Sequence, residues 1–470
     1  MPEIDVEALR AHLMEPLRGR KVILAYRYLA SIRPALALLD SLGCPKPMVI
    51  ARGIGTGELP EPDAAIVHMM EMPTGSMTEE VRSQERLTLA PPTEVLAAVH
   101  AYDPDHIAVW WLGAIGMNVP VDGRPVYGGR RPEWAALENK TTVDEIWDEV
   151  GAPRASSEVV RVGPDLSSVT RRLDTGDGAV WAGDTRDGTN GGGDYVRWVR
   201  DPADARTALE FFSAHCDRVR VMPFLEGIPC SVHGLVLPDG VVPLRPMELV
   251  TLRSVEQSRF LFGGVSTWWD PPESDRKQMR ELARKVGTLL RDRHGFHGGF
   301  GIDGVLTREG FRPTELNSRF SGGLTVISKG IPELPLEMLQ VNLVAGRELG
   351  VSAADLEPLL LKSADRNRVG RAAAITEAVR PHESTTVPVT SKNGELSEAP
   401  DQGARLGEIV MGPTSAGALI QLVPDAGTLT PGMRMAPLNA AVMRFADRHW
   451  GTTFGPVQIA PDVRPGKPPP

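Results

Sequence analysis

The chain has 470 residues, 41% hydrophobic and 24% charged, which are ordinary proportions for a globular protein and enough length for two to four domains. A net charge of −9 argues against a nucleic-acid surface, because phosphate binding needs a basic stripe. No apolar run approaches the ~20 residues that span a bilayer, and the opening "MPEIDVEALRAHLMEPLRGRK" lacks the basic-then-apolar order of a secretory signal. Cys44, Cys216 and Cys230 are odd in number and widely spaced, as expected of buried thiols in a reducing compartment. A cytoplasmic protein with no nucleic-acid and no membrane partner is the expectation.

"KVILAY" (21–26) reads as a buried strand, "SIRPALALLDSLG" (31–43) as a helix stopped by Gly43, and "PMVIA" (47–51) as a second strand. This order predicts an N-terminal α/β domain over 1–130. "GIGTG" (53–57) follows a strand but precedes no convincing helix, so a plain turn is favoured over a dinucleotide loop. At 142–153 Thr142 and Glu145 have capping-box spacing, and Gly151 and Pro153 close the helix.

From there to about 355 strands and helices alternate. Met279, Leu282, Val286, Leu289 and Leu290 share one face of a helix, and "IPELPLEMLQVNLVAG" (331–346) is another that ends in glycine. The texture then loosens into a small C-terminal domain over 356–460, closed by a helix at 438–451. The proline-rich segment 461–470 is expected to be disordered.

The chemistry concentrates in "GGFGIDGVLTREGFRPTELNSRFSGG" (298–323). "REG" reads as a three-residue hairpin loop with glycine in the left-handed position, pairing Thr307 with Phe311. Asp303 then falls opposite Glu315, and Glu315 and Asn317 share its face. Like charges directly opposed are destabilising, and a divalent cation between them reverses the sign. Two carboxylates and an amide oxygen are hard ligands suited to Mg²⁺. Pro313 fits the strand poorly, since it removes a ladder donor.

An acid on one strand followed by Glu-x-Asn-x-Arg on the next resembles the ATP-grasp superfamily, here in Asp303 and "ELNSR" (Glu315, Asn317, Arg319). The resemblance spans roughly 125–350. It implies an ATP-grasp fold, an α/β class with two α+β lobes at 131–355 behind an N-terminal α/β pre-domain. It also implies ATP as cofactor, with Mg²⁺ (or Mn²⁺) held by Asp303, Glu315 and Asn317, and Arg319 acting on the transferring phosphoryl group.

By the same resemblance Lys140 lies near the α- and β-phosphates. It is one of only nine lysines among 51 basic residues, so its placement before a helix is the more telling. "VMPFLEG" resembles the hinge between the lobes, with Phe224 and Leu225 at the adenine and Glu226 at the ribose; a plain acidic turn is the other reading of Glu226. "GDTRDGTNGGGDYV" resembles the mobile loop over the triphosphate, through Gly191 and Gly192. The strand before it has Trp181 where the superfamily usually has a second lysine, which leaves Arg186 as the substitute.

The activity implied is ligation of a small-molecule carboxylate to an amine or peptide acceptor through an acyl phosphate. Arg245, Glu248, Arg253 and Arg259 are candidates for the substrate contacts, with a charged surface loop as the alternative. The layout also resembles the bacterial peptide ligases of pheganomycin biosynthesis. An ATP-grasp phosphotransferase and a nucleotide-binding protein without turnover share these motifs, and a homodimer is left open.

Overall fold

The structure is a computed structural model that describes residues 4–70, 77–184, 186, 188, 189, 191, 193–400 and 403–464. Its first sheet is parallel, with strands Ile66–Met69, Met48–Ala51, Val22–Tyr26, Val109–Met117 and Val126–Arg130 side by side in that order. The Val22–Tyr26 strand is an unbroken apolar run because both faces are covered. Val22 and Leu24 enter one core, Ile23 and Ala25 another. The chain leaves this sheet at Arg130.

Two antiparallel sheets follow. The smaller has Ala179–Gly183 between Val196–Val199 and Arg218–Pro223, with Glu158–Arg161 on the outer edge of the latter. Helices Asp165–Leu173 and Pro202–His215 pack on it around Val169, Trp181 and Phe212. The larger is built on Ile228–Val236, flanked by Met247–Ser254 and Gly298–Thr307. Helix Glu273–His294 covers this sheet with Met279, Leu282, Val286 and Leu290 and ends at Gly295, whose φ of 55° suits a left-handed cap. Residues 224–227 join the two sheets.

A further five-stranded antiparallel sheet runs from Ala372 to Pro424 and packs on helix Ala436–Trp450. Helix Ala353–Arg366 does not belong to it: Leu356, Leu360 and Ala364 lie in the first core. No helix among the described residues is long and apolar enough to cross a membrane.

Three local expectations are corrected. The helix Val143–Glu149 has no side-chain cap from Thr142, whose hydroxyl instead donates to the Asn139 carbonyl at 3.3 Å. The 298–317 hairpin turns through two residues, not three, so Thr307 pairs with Gly310. Part of the tail is ordered: Arg464 forks onto the buried Asp275 carboxylate at 2.8 and 2.9 Å, while 465–470 lie outside the described residues.

Candidate active site

The hairpin positions the acids by way of a bulge. Pairing starts one residue out of the expected register at Thr307–Gly310, and a shift between Asp303 and Gly304 takes up one extra residue on the second strand. Asp303 therefore still faces Glu315, and Gly301 faces Asn317. Pro313 sits beside the irregularity, where a missing ladder donor costs least.

Around this pair the polar side chains form a chain of contacts. Asn317 Nδ2 donates to Asp303 Oδ2 at 3.0 Å, and Arg319 donates to Asn317 Oδ1 at 3.1 Å. Arg319 also pairs with Glu138, which Arg130 meets from the far side at 2.9 Å. Lys140 Nζ donates to Glu315 Oε1 at 2.8 Å. Arg130 goes on to Glu85 at 2.8 Å and to the Thr189 hydroxyl at 2.9 Å, and that hydroxyl donates to Glu85 at 2.6 Å.

A cavity of ≈ 210 Å³ lies among these groups, lined by Glu85, Met117, Glu138, Lys140, Thr189 and Glu315. Its walls thus come from the parallel sheet, the glycine-rich loop and the hairpin.

Burial, and then the Glu315 charge, push the Asp303 carboxyl up to about 7. Glu138 goes the other way: burial opposes its ionisation, but Arg319 and Arg130 hold it below the usual carboxylate range. The two acids of the hairpin repel one another, whereas the acid behind them is neutralised. The donor set at Asp303, Glu315 and Asn317 fits a hard divalent cation, which relieves that repulsion. Turned over, the Asn317 amide presents its oxygen to the same point.

The glycine-rich loop is held down on helix Met77–Leu89. Thr78 Oγ1 donates to Asp194 at 2.9 Å, the Gly191 N–H donates to Thr78 Oγ1 at 3.3 Å, and Arg82 donates to the Thr189 carbonyl at 3.1 Å. Gly192 lies outside the described residues. Among the described residues Arg186 makes no hydrogen bond or ion pair with Asp303 or Glu315. It pairs with Asp217 at 3.1 Å and with the Ala214 carbonyl at 2.5 Å. Arg259, half-exposed, reaches Asp194 at 3.6 Å.

At the junction of the sheets Phe224 stacks on Trp198, with centroids 4.7 Å apart, and lies beside Leu225 and Glu226. Arg253 lies over the Phe224 ring at 4.7 Å and forks onto Glu226 at 3.0 and 2.5 Å. Arg253 is therefore a partner of the hinge acid.

Two of the substrate candidates are corrected. Arg245 is buried between Asp270 and Asp365. Glu248 is fully buried and accepts from Arg434 at 3.0 Å and from the Met435 N–H at 2.5 Å, anchoring the start of helix Ala436–Trp450. It is also one pleat off the active face: Glu248 aligns with Cys230 and Gly304, whereas Met247 aligns with Ser231 and Asp303. Sequence reasoning missed Glu85, Arg130, Glu138 and Thr189. The signal for one of them was present, since Glu138 is a buried acid two residues before Lys140 in "ALENK".

No protein-family model matches the chain, and no curated protein sequence does. Solved structures do. Carboxyaminoimidazole ribonucleotide synthase from Aspergillus clavatus, complexed with ATP, superposes with a TM-score of 0.51 at 15% identity, over 92% of this chain and 99% of that one. N5-carboxyaminoimidazole ribonucleotide synthetase in its ADP complex gives 0.50 at 12% identity over 92% and 98%. The Aspergillus clavatus enzyme with ADP and 5-aminoimidazole ribonucleotide gives 0.50 at 14% over 91% and 99%. The chain has the ATP-grasp fold.

Residues 224–227 connect the two antiparallel sheets. The hairpin bears Asp303, Glu315 and Asn317, with Arg319 just beyond it, and Glu315 lines the ≈ 210 Å³ cavity together with Gly188 and Thr189 of the loop.

Proposed function

We propose that the protein is an ATP-dependent carboxylate–amine ligase that works through an acyl phosphate. The observation that carries this reading is the linked set Lys140, Glu315, Asp303, Asn317 and Arg319, of which Lys140 and Glu315 line the ≈ 210 Å³ cavity together with Gly188 and Thr189 of the glycine-rich loop. Structural likeness to enzymes solved with ATP and ADP supports the nucleotide. The proposed division is a pre-domain over 1–130, ATP-grasp lobes from 131, and a small C-terminal domain that starts after helix Ala353–Arg366 rather than at 356.

A carboxylate has a poor leaving group, which ATP replaces. One carboxylate oxygen attacks the γ-phosphorus, the bond from that phosphorus to the β–γ bridging oxygen breaks, and ADP leaves. The amine nitrogen then attacks the acyl carbon, the carbon–oxygen bond to phosphate breaks, and the nitrogen sheds its proton. Asp303, Glu315 and Asn317 would hold Mg²⁺, which would supply charge neutralisation for the transferring phosphoryl group.

Arg319, held by Glu138 and by the metal-ligand candidate Asn317, steadies the transferring oxygens and then the oxyanion. Lys140 leaves Glu315 for phosphate oxygens when nucleotide binds. Phe224 and Leu225 take the adenine and Glu226, released from Arg253, the ribose. Thr189 and Gly191 close over the phosphates and exclude water. We assign this ligation to small-molecule or peptide natural-product biosynthesis, in keeping with the resemblance to the pheganomycin-type peptide ligases.

The test is a screen with ATP, Mg²⁺ and pooled carboxylates and amines, read by ADP release and product mass. ADP that appears only with both acceptors present, together with ¹⁸O passing from the carboxylate into released phosphate, is the expected result. A phosphorylated acceptor without amide would make it a phosphotransferase, and no ADP under any condition a nucleotide binder.

A further inference from the structure

A second cavity, of ≈ 270 Å³, lies at the carboxyl ends of the first two strands of the parallel sheet. Tyr28 follows the strand Val22–Tyr26, and Arg52 and Gly55 follow Met48–Ala51. The roof comes from the C-terminal sheet, whose turn between Gly407–Thr414 and Gly417–Pro424 brings Thr414 and Ser415 over the crevice. The roof is tied down: Thr56 Oγ1 donates to the Pro413 carbonyl at 3.1 Å, and the Ser415 N–H donates to the Tyr28 hydroxyl at 3.3 Å. Gly55 has φ of 78°, and a Cβ there would come within 2.4 Å of Tyr28, so the floor is close-packed.

The lining is cationic without matching anions. Arg52 is only 8% exposed, and its Nε and Nη1 have no hydrogen-bond partner among the described residues. Burial, with Arg86 and Arg27 adding, pushes it down to about 10. Arg27 is engaged by Glu80, which also accepts from Tyr28 at 2.7 Å. The Thr414 hydroxyl is likewise buried and without a partner among the described residues. A buried guanidinium with open donors is costly unless something pairs with it.

We propose that this crevice binds an oxyanion, a phosphate or carboxylate group that the substrate carries away from its reacting end, with Arg52 as the principal partner and Thr414 as a second donor. The binding stands on the crevice itself; that the anion belongs to a ligase substrate rests on the function proposed above. The helix Met77–Leu89 gives the spacing. Glu80 accepts from Tyr28, which lines this crevice, and Glu85 lines the cavity of the carboxylates. Five residues of helix advance ~7.5 Å along the axis, a span on the scale of an amino acid or a sugar phosphate.

The experiment titrates inorganic phosphate and, separately, succinate into the full chain, with the nucleotide site filled by a non-hydrolysable ATP analogue and Mg²⁺. Wild type binding one probe, with Arg52→Gln weakening it about 10–100-fold as for a lost charge-assisted contact, is the expected result. The preferred probe tells phosphate from carboxylate. Failure of both probes to bind at millimolar concentration, or equal affinity in Arg52→Gln, overturns the proposal. Should that variant not fold, Thr414→Val takes its place, and unchanged affinity there overturns it equally. None of these readouts needs turnover, so a protein that releases no ADP would end the ligase reading and leave the anion site standing.

Discussion

Lys140 and Glu315 meet at 2.8 Å, an ammonium joined to one of two carboxylates that face each other across a hairpin. The lysine thereby neutralises a charge that Asp303 would otherwise oppose alone. Its side chain is 7% exposed and that of Glu315 30%, so the pair is largely shielded. Either residue altered leaves the other in a changed field.

Glu315→Gln should remove a metal ligand and the charge opposite Lys140 together. Outer partners of metal ligands alone are worth ~10–100-fold, so the loss of a ligand should lower ADP release by more than about a hundredfold, with an unchanged circular-dichroism spectrum. Near-normal release at saturating Mg²⁺ would place the metal elsewhere.

For Lys140→Ala the expected change lies in binding. A contact to phosphates made equally in ground and transition states appears in KM rather than kcat. Steady-state kinetics should show the ATP KM raised about tenfold or more, as for a lost charge-assisted bond, with kcat within a few-fold of wild type. A kcat defect at unchanged KM would assign Lys140 to the chemistry.

Arg319→Lys keeps the charge but loses the planar fork that spans Glu138 and Asn317. Turnover should fall by roughly 10²–10³, the range for one lost oxyanion donor, while ATP binding by calorimetry persists.

The acid pair sets a pH signature in metal-free protein. Asp303 is raised to about 7 from an ordinary value of 3.8, by burial and then Glu315. Its contribution to stability is therefore full below about 4 and is lost as pH rises through about 7. Half-buried Glu337, also raised to about 7, acts in the same window. Denaturant melts of wild type and Asp303→Asn should coincide near pH 4, and the variant should be the more stable at pH 8. Saturating Mg²⁺ should narrow that gap by stabilising wild type only. Parallel curves from pH 4 to 8 would show that Asp303 titrates normally.

Glu248→Ala should act on stability and leave the nucleotide alone. Removing one partner of a buried ion pair costs about 3–5 kcal/mol, here the tie to Arg434 and to the start of helix Ala436–Trp450. Chemical denaturation should show that loss, and ATP affinity at low temperature should be unchanged. A raised substrate KM without loss of stability would return Glu248 to the substrate.

The opposition of Asp303 and Glu315 was legible in the chain because a hairpin is local: side chains alternate, and a short turn fixes which positions meet. Even there the loop was one residue shorter than the pattern implied, and the pairing survived through a bulge beside Pro313. The long apolar helix 273–294 and the buried Val22–Tyr26 strand were equally legible, since their periodicity lies within one element.

What the sequence did not carry was the meeting of remote elements. Glu85, Arg130 and Glu138 come from a helix, a strand end and a turn of the first 140 residues, yet they complete a site whose acids lie beyond residue 300. Arg245 and Glu248 look in sequence like free charges between two motifs. Only tertiary packing shows that their partners are Asp270, Asp365 and Arg434. A charged side chain is defined by the field around it, and that field is assembled from segments whose distance along the chain says nothing of their distance in space. Arg52 is the clearest case: a single arginine after a strand became a buried cation in a walled crevice only when the C-terminal sheet closed over it.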